Sequence, residues 1–302
     1  MDYQNLMDED TWTFIERTQN LFPNTRGDLS LEDQRSLYMS LCREFAPPLP
    51  DGVTMEDLRV GDVPIRRYRR GATPARVIYI HGGGFVVGGL DSHDDVCAEI
   101  CAATTLDVTA IDYRLAPEHK HPAALEDCLA VFDAALLEDD RPLLLVGDSA
   151  GAWLAAMVSI SRPGRPMGQV LIYPMLGGAL DQGSYVTHQN APLLSTDQVA
   201  VYWQTYFDCP LDRGKLTPPM ALPELGVIPP TFMLAAGCDP LASDAPDFAQ
   251  KITEAGGKVQ VEIAEGLPHG FLRARHSSAS AKESFARITE AIEALGHGKW
   301  IW

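Results

Sequence analysis

Positive charge is what this chain of 302 residues has least of: 24 Lys and Arg stand against 41 Asp and Glu, a formal net charge of −17. Neutralising phosphates takes clustered basic residues, and the densest run is Arg66-Arg67 and Arg69-Arg70 around Tyr68, so no nucleic-acid partner is expected. The acidity favours solubility and mildly repels anionic ligands at long range. There is no apolar run of about 18 residues, and Met1-Asp2-Tyr3-Gln4-Asn5 lacks the basic and apolar parts of a signal peptide. A cytoplasmic protein with no membrane partner is the expectation. Cysteine is sparse at six, without the pattern of a disulfide framework. Cys97 and Cys101 lie four apart on an expected helix, but no further pair completes a zinc spacing. They read as buried thiols, as do Cys128, Cys209 and Cys238 among apolar neighbours. No G-K-[ST] and no dinucleotide fingerprint occurs, and neither a metal nor a cofactor is called for.

What the chain does have is a 46% hydrophobic content, enough for a substantial core. The first 50 residues read as two helices, Asp8 to Gln19 and Ser30 to Phe45, separated by Phe22-Pro23-Asn24 and the turn-like Arg26-Gly27-Asp28. Ser30 with Asp33 makes a capping-box-like start. Pro47-Pro48-Leu49-Pro50-Asp51-Gly52 marks a boundary. Strands are then predicted near 54–60, 64–70, 76–80, 107–112, 142–146, 168–173, 230–236 and 258–264, with helices near 92–104, 123–136, 151–160, 197–207, 243–255 and 279–294. Such alternation predicts an α/β fold, a doubly wound and mostly parallel sheet. An interruption over 176–229 divides the core into 51–175 and 230–302. Within it, Ser195-Thr196-Asp197 caps a helix carrying Val199, Tyr202, Trp203, Tyr206 and Phe207.

The chemistry centres on Gly147-Asp148-Ser149-Ala150-Gly151, directly after the apolar run Leu143 to Val146. A buried strand entering G-x-S-x-G and then a helix describes a nucleophile elbow, a turn so tight that its flanks must be small. Upstream, the strand Val77-Ile78-Tyr79-Ile80 ends in His81-Gly82-Gly83-Gly84-Phe85. Glycines there let backbone N–H groups turn inward, as stabilisation of an oxyanion requires, and Ala150 after the serine supplies a further N–H. His81 is read as a positioner of this loop. The base is His269, in Gly266-Leu267-Pro268-His269-Gly270-Phe271 after the last strand. Asp239 leaves the buried run Thr231 to Cys238 and is the matching acid; Asp244, five residues on, belongs to the first turn of the next helix.

These motifs, with Asp112-Tyr113-Arg114-Leu115-Ala116-Pro117-Glu118, Asp239-Pro240-Leu241 and His269-Gly270-Phe271, resemble the hormone-sensitive-lipase-like esterases of the α/β-hydrolase superfamily, most of all bacterial acetyl esterases. The resemblance runs from about residue 45 to the C-terminus. It implies a triad of Ser149, Asp239 and His269 and an oxyanion hole of the Gly83, Gly84 and Ala150 N–H groups. It also implies supporting roles for His81, Gly82, Asp148 and Tyr113 to Glu118, and a helical cap built from the first 50 residues and the interruption. The chain departs from the common pattern with Ala152-Trp153 after Gly151 and with Ala242-Ser243-Asp244 after Leu241, where many members carry an arginine. Phe85, Trp153, Trp203, Tyr206 and Phe207 are expected to line a short acyl pocket.

Three readings follow. One is a serine carboxylesterase for short acyl groups with a small-molecule ester substrate. Another is an amidase or deacetylase, and the third is a non-catalytic ligand-binding module. Assembly as monomer or homodimer stays open, as does whether Trp300-Ile301-Trp302 packs on the body or on a partner.

Overall fold

A computed structural model describes residues 1–21, 29–211, 214, 217–223, 225 and 228–302. The turn read at 22–28 lies outside the described residues. In chain order the structure runs α1 (Glu9–Leu21), α2 (Leu31–Phe45), β1 (Thr54–Val60), β2 (Val63–Arg69), β3 (Arg76–Ile80), α3 (Asp94–Thr104) and β4 (Asp107–Ile111). There follow α4 (Ala123–Glu138), β5 (Leu143–Asp148), α5 (Ala150–Ser161), β6 (Gly168–Ile172), α6 (Gly183–Thr187) and α7 (Thr196–Phe207). The chain closes with β7 (Thr231–Cys238), α8 (Asp244–Glu254), β8 (Val259–Pro268) and α9 (Ala279–Gly296). Every predicted element is present. Most ends shift by a residue or two, and β8 continues to Pro268, the residue before His269.

The strands form one 8-stranded sheet in the order β1-β2-β4-β3-β5-β6-β7-β8. β2 is antiparallel to both neighbours, and from β4 to β8 all pairs are parallel. Both faces of the parallel part are covered, which explains why these strands read as continuous apolar runs. Alternate side chains enter different cores. Ile78, Ile80, Leu143, Leu145, Leu171 and Met233 pack with α4, α5 and α8, while Val77, Tyr79, Leu144, Val146, Val170 and Phe232 pack with α3 and α9. The period of two is thus present beneath uniform hydrophobicity.

Local signals behave as their chemistry dictates. Ser30 Oγ accepts from the Asp33 N–H at 3.1 Å, and Ser195 Oγ from the Gln198 N–H at 3.2 Å, each satisfying an orphan donor of the first helical turn. Cys97 and Cys101 are buried and unpaired, but Cys209 is exposed, contrary to its apolar neighbourhood in sequence. Asp208 ends α7 in the left-handed region (φ 59°) and turns the chain outward just before it. The C-terminal tail packs on the body: Trp302 stacks on Phe232 with centroids 5.1 Å apart, and Trp300 meets Trp302 edge-on at 5.1 Å. Among the described residues, no helix is long and apolar enough to cross a membrane.

The segment after β6 is fastened to α8 by Asp244. Its carboxylate accepts from the Leu176 and Gly177 N–H groups at 2.6 and 3.2 Å and from the Tyr185 hydroxyl at 3.1 Å. Complete burial outweighs these bonds and pushes the carboxyl up from 3.8 to about 7. Between those values the folded chain holds a proton that the unfolded chain has released. The group's contribution is therefore full at low pH and is lost as pH rises through about 7. Asp244→Asn has no such proton to lose, so its stability relative to the parent should improve by about 2 kcal/mol between about pH 5 and about pH 8. Paired urea titrations at both pH values check this; a constant difference would overturn it.

Candidate active site

At the carboxyl end of β5 the backbone turns sharply into α5. Ser149 sits at the turn with φ 54° and ψ −120°, a conformation that costs a non-glycine residue about 1–3 kcal/mol. The surroundings hold it there. Its N–H donates to the Ile172 carbonyl at 2.9 Å, and its carbonyl accepts from Ala152 at 3.1 Å. A Cβ on Gly151 would collide with the Ile80 and His81 carbonyls, and one on Gly147 with the Gly151 carbonyl. Small residues flank the serine because neighbouring backbone occupies the space a side chain would need.

His269 follows β8 and reaches Ser149 across the sheet's end. Its Nε2 lies 2.9 Å from Ser149 Oγ and its Nδ1 lies 2.6 Å from Asp239 Oδ2. The carboxylate only accepts, so Nδ1 carries the proton, and Nε2 presents a lone pair to the serine hydroxyl. Asp239 is fully buried, and its Oδ1 accepts from the Leu241 N–H at 3.0 Å. The departure from the common arginine after Leu241 is met by serines. Ser184 Oγ donates to the Pro240 carbonyl at 2.7 Å and accepts from the Ser243 N–H at 2.8 Å, tying α6 to the Asp239 loop. Asp244 points instead toward Leu176 and Tyr185, as described above.

The glycine loop lies beside this relay. Gly83 and Gly84 have φ of 121° and 60°. A side chain on Gly83 would strike the Val87 carbonyl, and one on Gly84 the ring of Tyr202. The two glycines and Ala150 border the serine, Gly83 and Gly84 in the same cavity as Ser149 and His269. Asp148 fixes the loop from below. Its Oδ1 accepts from the Gly82 N–H and the Tyr79 hydroxyl, both at 2.9 Å; Tyr173 OH lies 3.4 Å from Oδ2, and His93 Nε2 lies 3.4 Å from Oδ1. Burial alone would raise this carboxyl. The His93 imidazole and the Tyr79 and Gly82 donors overcome that and hold it well below the usual carboxylate range. His81 lies under the loop rather than facing the serine. Its Nδ1 donates to the Gly82 carbonyl at 2.7 Å, its ring stacks on Tyr113 at 4.3 Å, and the Tyr113 hydroxyl donates to its carbonyl at 2.8 Å. Burial, with His93 beside it, pushes the imidazole down to about 3, so it is neutral.

A cavity of about 130 Å³ opens onto Ser149. None of Phe85, Trp153, Trp203, Tyr206 and Phe207 lines it, and the expected pocket lining is corrected on this point. They form one aromatic cluster behind the glycine loop. Phe85 stacks on Tyr206 at 4.0 Å, Trp203 stacks on Phe207 at 4.0 Å, and Trp153 meets Phe207 at 5.2 Å while its indole N–H donates to the Pro218 carbonyl. Val199 and Tyr202 of α7 line the cavity, while Trp203, Tyr206 and Phe207 of the same helix pack into the cluster. Sequence reasoning also passed over His93, Tyr173 and Arg273, which border the cavity without belonging to any recognised motif. Among the described residues, no group of three or more His, Cys, Asp or Glu side chains converges as a metal site needs.

Comparison with known proteins follows from this geometry. A family model described as alpha/beta hydrolase fold matches residues 77–273. The chain is 32% identical over 267 residues to an ethyl acetate hydrolase of Pseudomonas putida, covering 81% of this chain and 83% of that one. It is 31% identical over 274 residues to the carboxylesterase NlhH of Mycobacterium tuberculosis, covering 83% and 86%. The crystal structure of an esterase from the bacterial hormone-sensitive lipase family superposes with a TM-score of 0.82 at 25% identity, covering 94% of this chain and 98% of that one.

Asp148→Asn keeps the volume but replaces an acceptor of several donors by an amide that matches only some of them. Unfolding in urea should show a loss of about 2–4 kcal/mol. Unchanged stability would remove Asp148 as the anchor of the loop.

Proposed function

Since this chain belongs to the hormone-sensitive-lipase-like esterases of the α/β-hydrolase fold family and is a carboxylic ester hydrolase, we propose that it hydrolyses short-chain acyl esters, acetyl to about hexanoyl, through an acyl-serine intermediate. The observation that carries the mechanism is the unbroken relay Ser149 Oγ, His269 Nε2, His269 Nδ1, Asp239 Oδ2.

His269 Nε2 takes the proton of Ser149 as the oxygen attacks the ester carbonyl, and Asp239 holds the imidazole in the tautomer that makes this possible. The carbonyl oxygen becomes an oxyanion against the N–H groups of Gly83, Gly84 and Ala150. Donors placed in advance cost no reorganisation when charge develops, and the loss of one costs about 3 kcal/mol. The tetrahedral intermediate collapses as His269 returns the proton to the departing alcohol, leaving an acyl group on Ser149. Water, deprotonated by the same nitrogen, attacks this acyl ester and frees the acid.

The preference for short acyl groups rests on what stands behind the oxyanion loop. The Tyr202 ring lies directly against Gly84, and the aromatic cluster of Phe85, Trp153, Trp203, Tyr206 and Phe207 fills the space beyond it. A long acyl chain finds that region already packed at interior density.

Hydrolysis of para-nitrophenyl esters from acetate to dodecanoate tests both parts. Activity should peak between acetate and hexanoate, and Ser149→Ala should lower kcat by about 10⁴- to 10⁶-fold. A maximum at octanoate or beyond would overturn the chain-length reading. Turnover surviving in the variant would overturn the acyl-serine reading.

A further inference from the structure

The cavity at Ser149 has a polar end that hydrolysis of a simple alkyl ester does not use. α1 contributes Thr18 and Gln19, α2 contributes Tyr38, and the turn Phe271–Ala274 after His269 contributes Arg273. The Arg273 guanidinium is fixed by two bonds, from Nη1 to the Ser92 carbonyl at 3.1 Å and from Nη2 to the Tyr38 hydroxyl at 2.8 Å. It lies 5.2 Å from the centre of the Tyr38 ring. The rest of its five N–H donors have no hydrogen-bond partner among the described residues. Nε, which has no hydrogen bond among the described residues, is not one of the buried side-chain atoms without a partner, and the side chain borders the cavity.

Nearby arginines are neutralised. Arg275 pairs with Asp95 and Glu99, and Arg35 pairs with Glu118 at 2.8 Å. Arg273 has no ion-pair partner among the described residues. Asp148 also borders the cavity, but its oxygens already face Gly82, Tyr79, His93 and Tyr173. A second unused group is Thr18, 7% exposed, whose Oγ1 is buried with no hydrogen-bond partner among the described residues. A fixed cation with no direct ion pair among the described residues, its closest negative charge the Asp95 carboxylate already paired with Arg275, and a hydroxyl without a hydrogen-bond partner among those residues thus line a cavity inside a chain of net charge −17.

An alkyl ester offers these groups nothing. A carboxylate offers two oxygens that match the guanidinium fork, and solvent ions screen the chain's remote negative charge beyond about 8–10 Å. We propose that the cavity takes acyl esters whose alcohol half carries a carboxylate, held by Arg273 with Thr18 while the scissile carbonyl lies against Ser149. The assignment to the alcohol half rests on the esterase reading above. His269 hands its proton to the departing oxygen, and Arg273 is carried on the turn that leaves His269. The acyl side, by contrast, lies toward Gly84, against which the Tyr202 ring is packed.

The test compares meta-acetoxybenzoate with the neutral meta-acetoxybenzamide in the parent, Arg273→Lys and Arg273→Gln. In the parent, kcat/KM for the carboxylate should exceed that for the amide. The ratio should fall about ten-fold or more in Arg273→Gln, chiefly through KM, and be partly kept in Arg273→Lys. A merely structural role would lower both substrates together and leave the ratio constant, which overturns the proposal. So does a parent ratio below one, or a stronger preference for phenyl hemisuccinate, whose carboxylate lies on the acyl half. Phenyl acetate turnover that depends on Ser149 separates this from failure of the esterase reading. If no ester is turned over, calorimetric binding of meta-hydroxybenzoate still decides: binding lost in Arg273→Gln supports the site, and equal or absent binding to parent and variant overturns it.

Discussion

One buried carboxylate joins the two loops on which the chemistry depends. Asp148 is the last residue of β5 and immediately precedes Ser149, yet its oxygens receive the Gly82 N–H and the Tyr79 hydroxyl from the neighbouring strand and its glycine loop. The Ser149 turn and the glycine loop are therefore positioned against each other by a charge, not only by packing. Burying that charge is costly unless it is fully paired. The cost is offset by His93, Tyr79 and Tyr173, and Tyr173 also packs its ring against the His269 imidazole, with centroids 4.8 Å apart. His81 and Tyr113 extend the same support outward beneath the loop.

The covering layer is fastened to that platform at separate points. Arg35 of α2 donates to the Val86 and Ala116 carbonyls and pairs with Glu118, so the N-terminal helices grip the segment that follows the glycine loop. Tyr202 of α7 rests on Gly84. α6 is tied through Ser184 to the loop bearing Asp239. Two of these attachments meet the glycine loop or the segment after it and the third meets the loop of Asp239, so a change in the covering helices that leaves the strands intact still reaches one of these loops.

The strands, helices and relay were legible in sequence because each rests on a local rule: apolar runs for strands covered on both faces, small residues at tight turns, a histidine and an aspartate at strand ends. The pocket was not. Trp203, Tyr206 and Phe207 form the conspicuous stripe of α7, but a stripe reports burial and not which neighbour it is buried against. Val199 and Tyr202 line the cavity, yet Trp203 and Tyr206, four residues on from each and only about 40° away around the helix, pack into the cluster. His93, Tyr173 and Arg273 were equally invisible, since their meaning comes from strands and helices distant in sequence arriving at one end of the sheet. Cys209 failed for the opposite reason: its neighbours are apolar, but the left-handed Asp208 before it redirects the chain.

That redirected cysteine has a use of its own. Five of the six thiols are buried, and the remaining one lies just past the C-terminal end of the helix that leans on the oxyanion loop. A maleimide dye would react there in preference to the buried positions, without any engineered mutation. The sequence thus carries a single spectroscopic handle just past the end of α7, while the buried thiols of the sheet and its helices stay unlabelled.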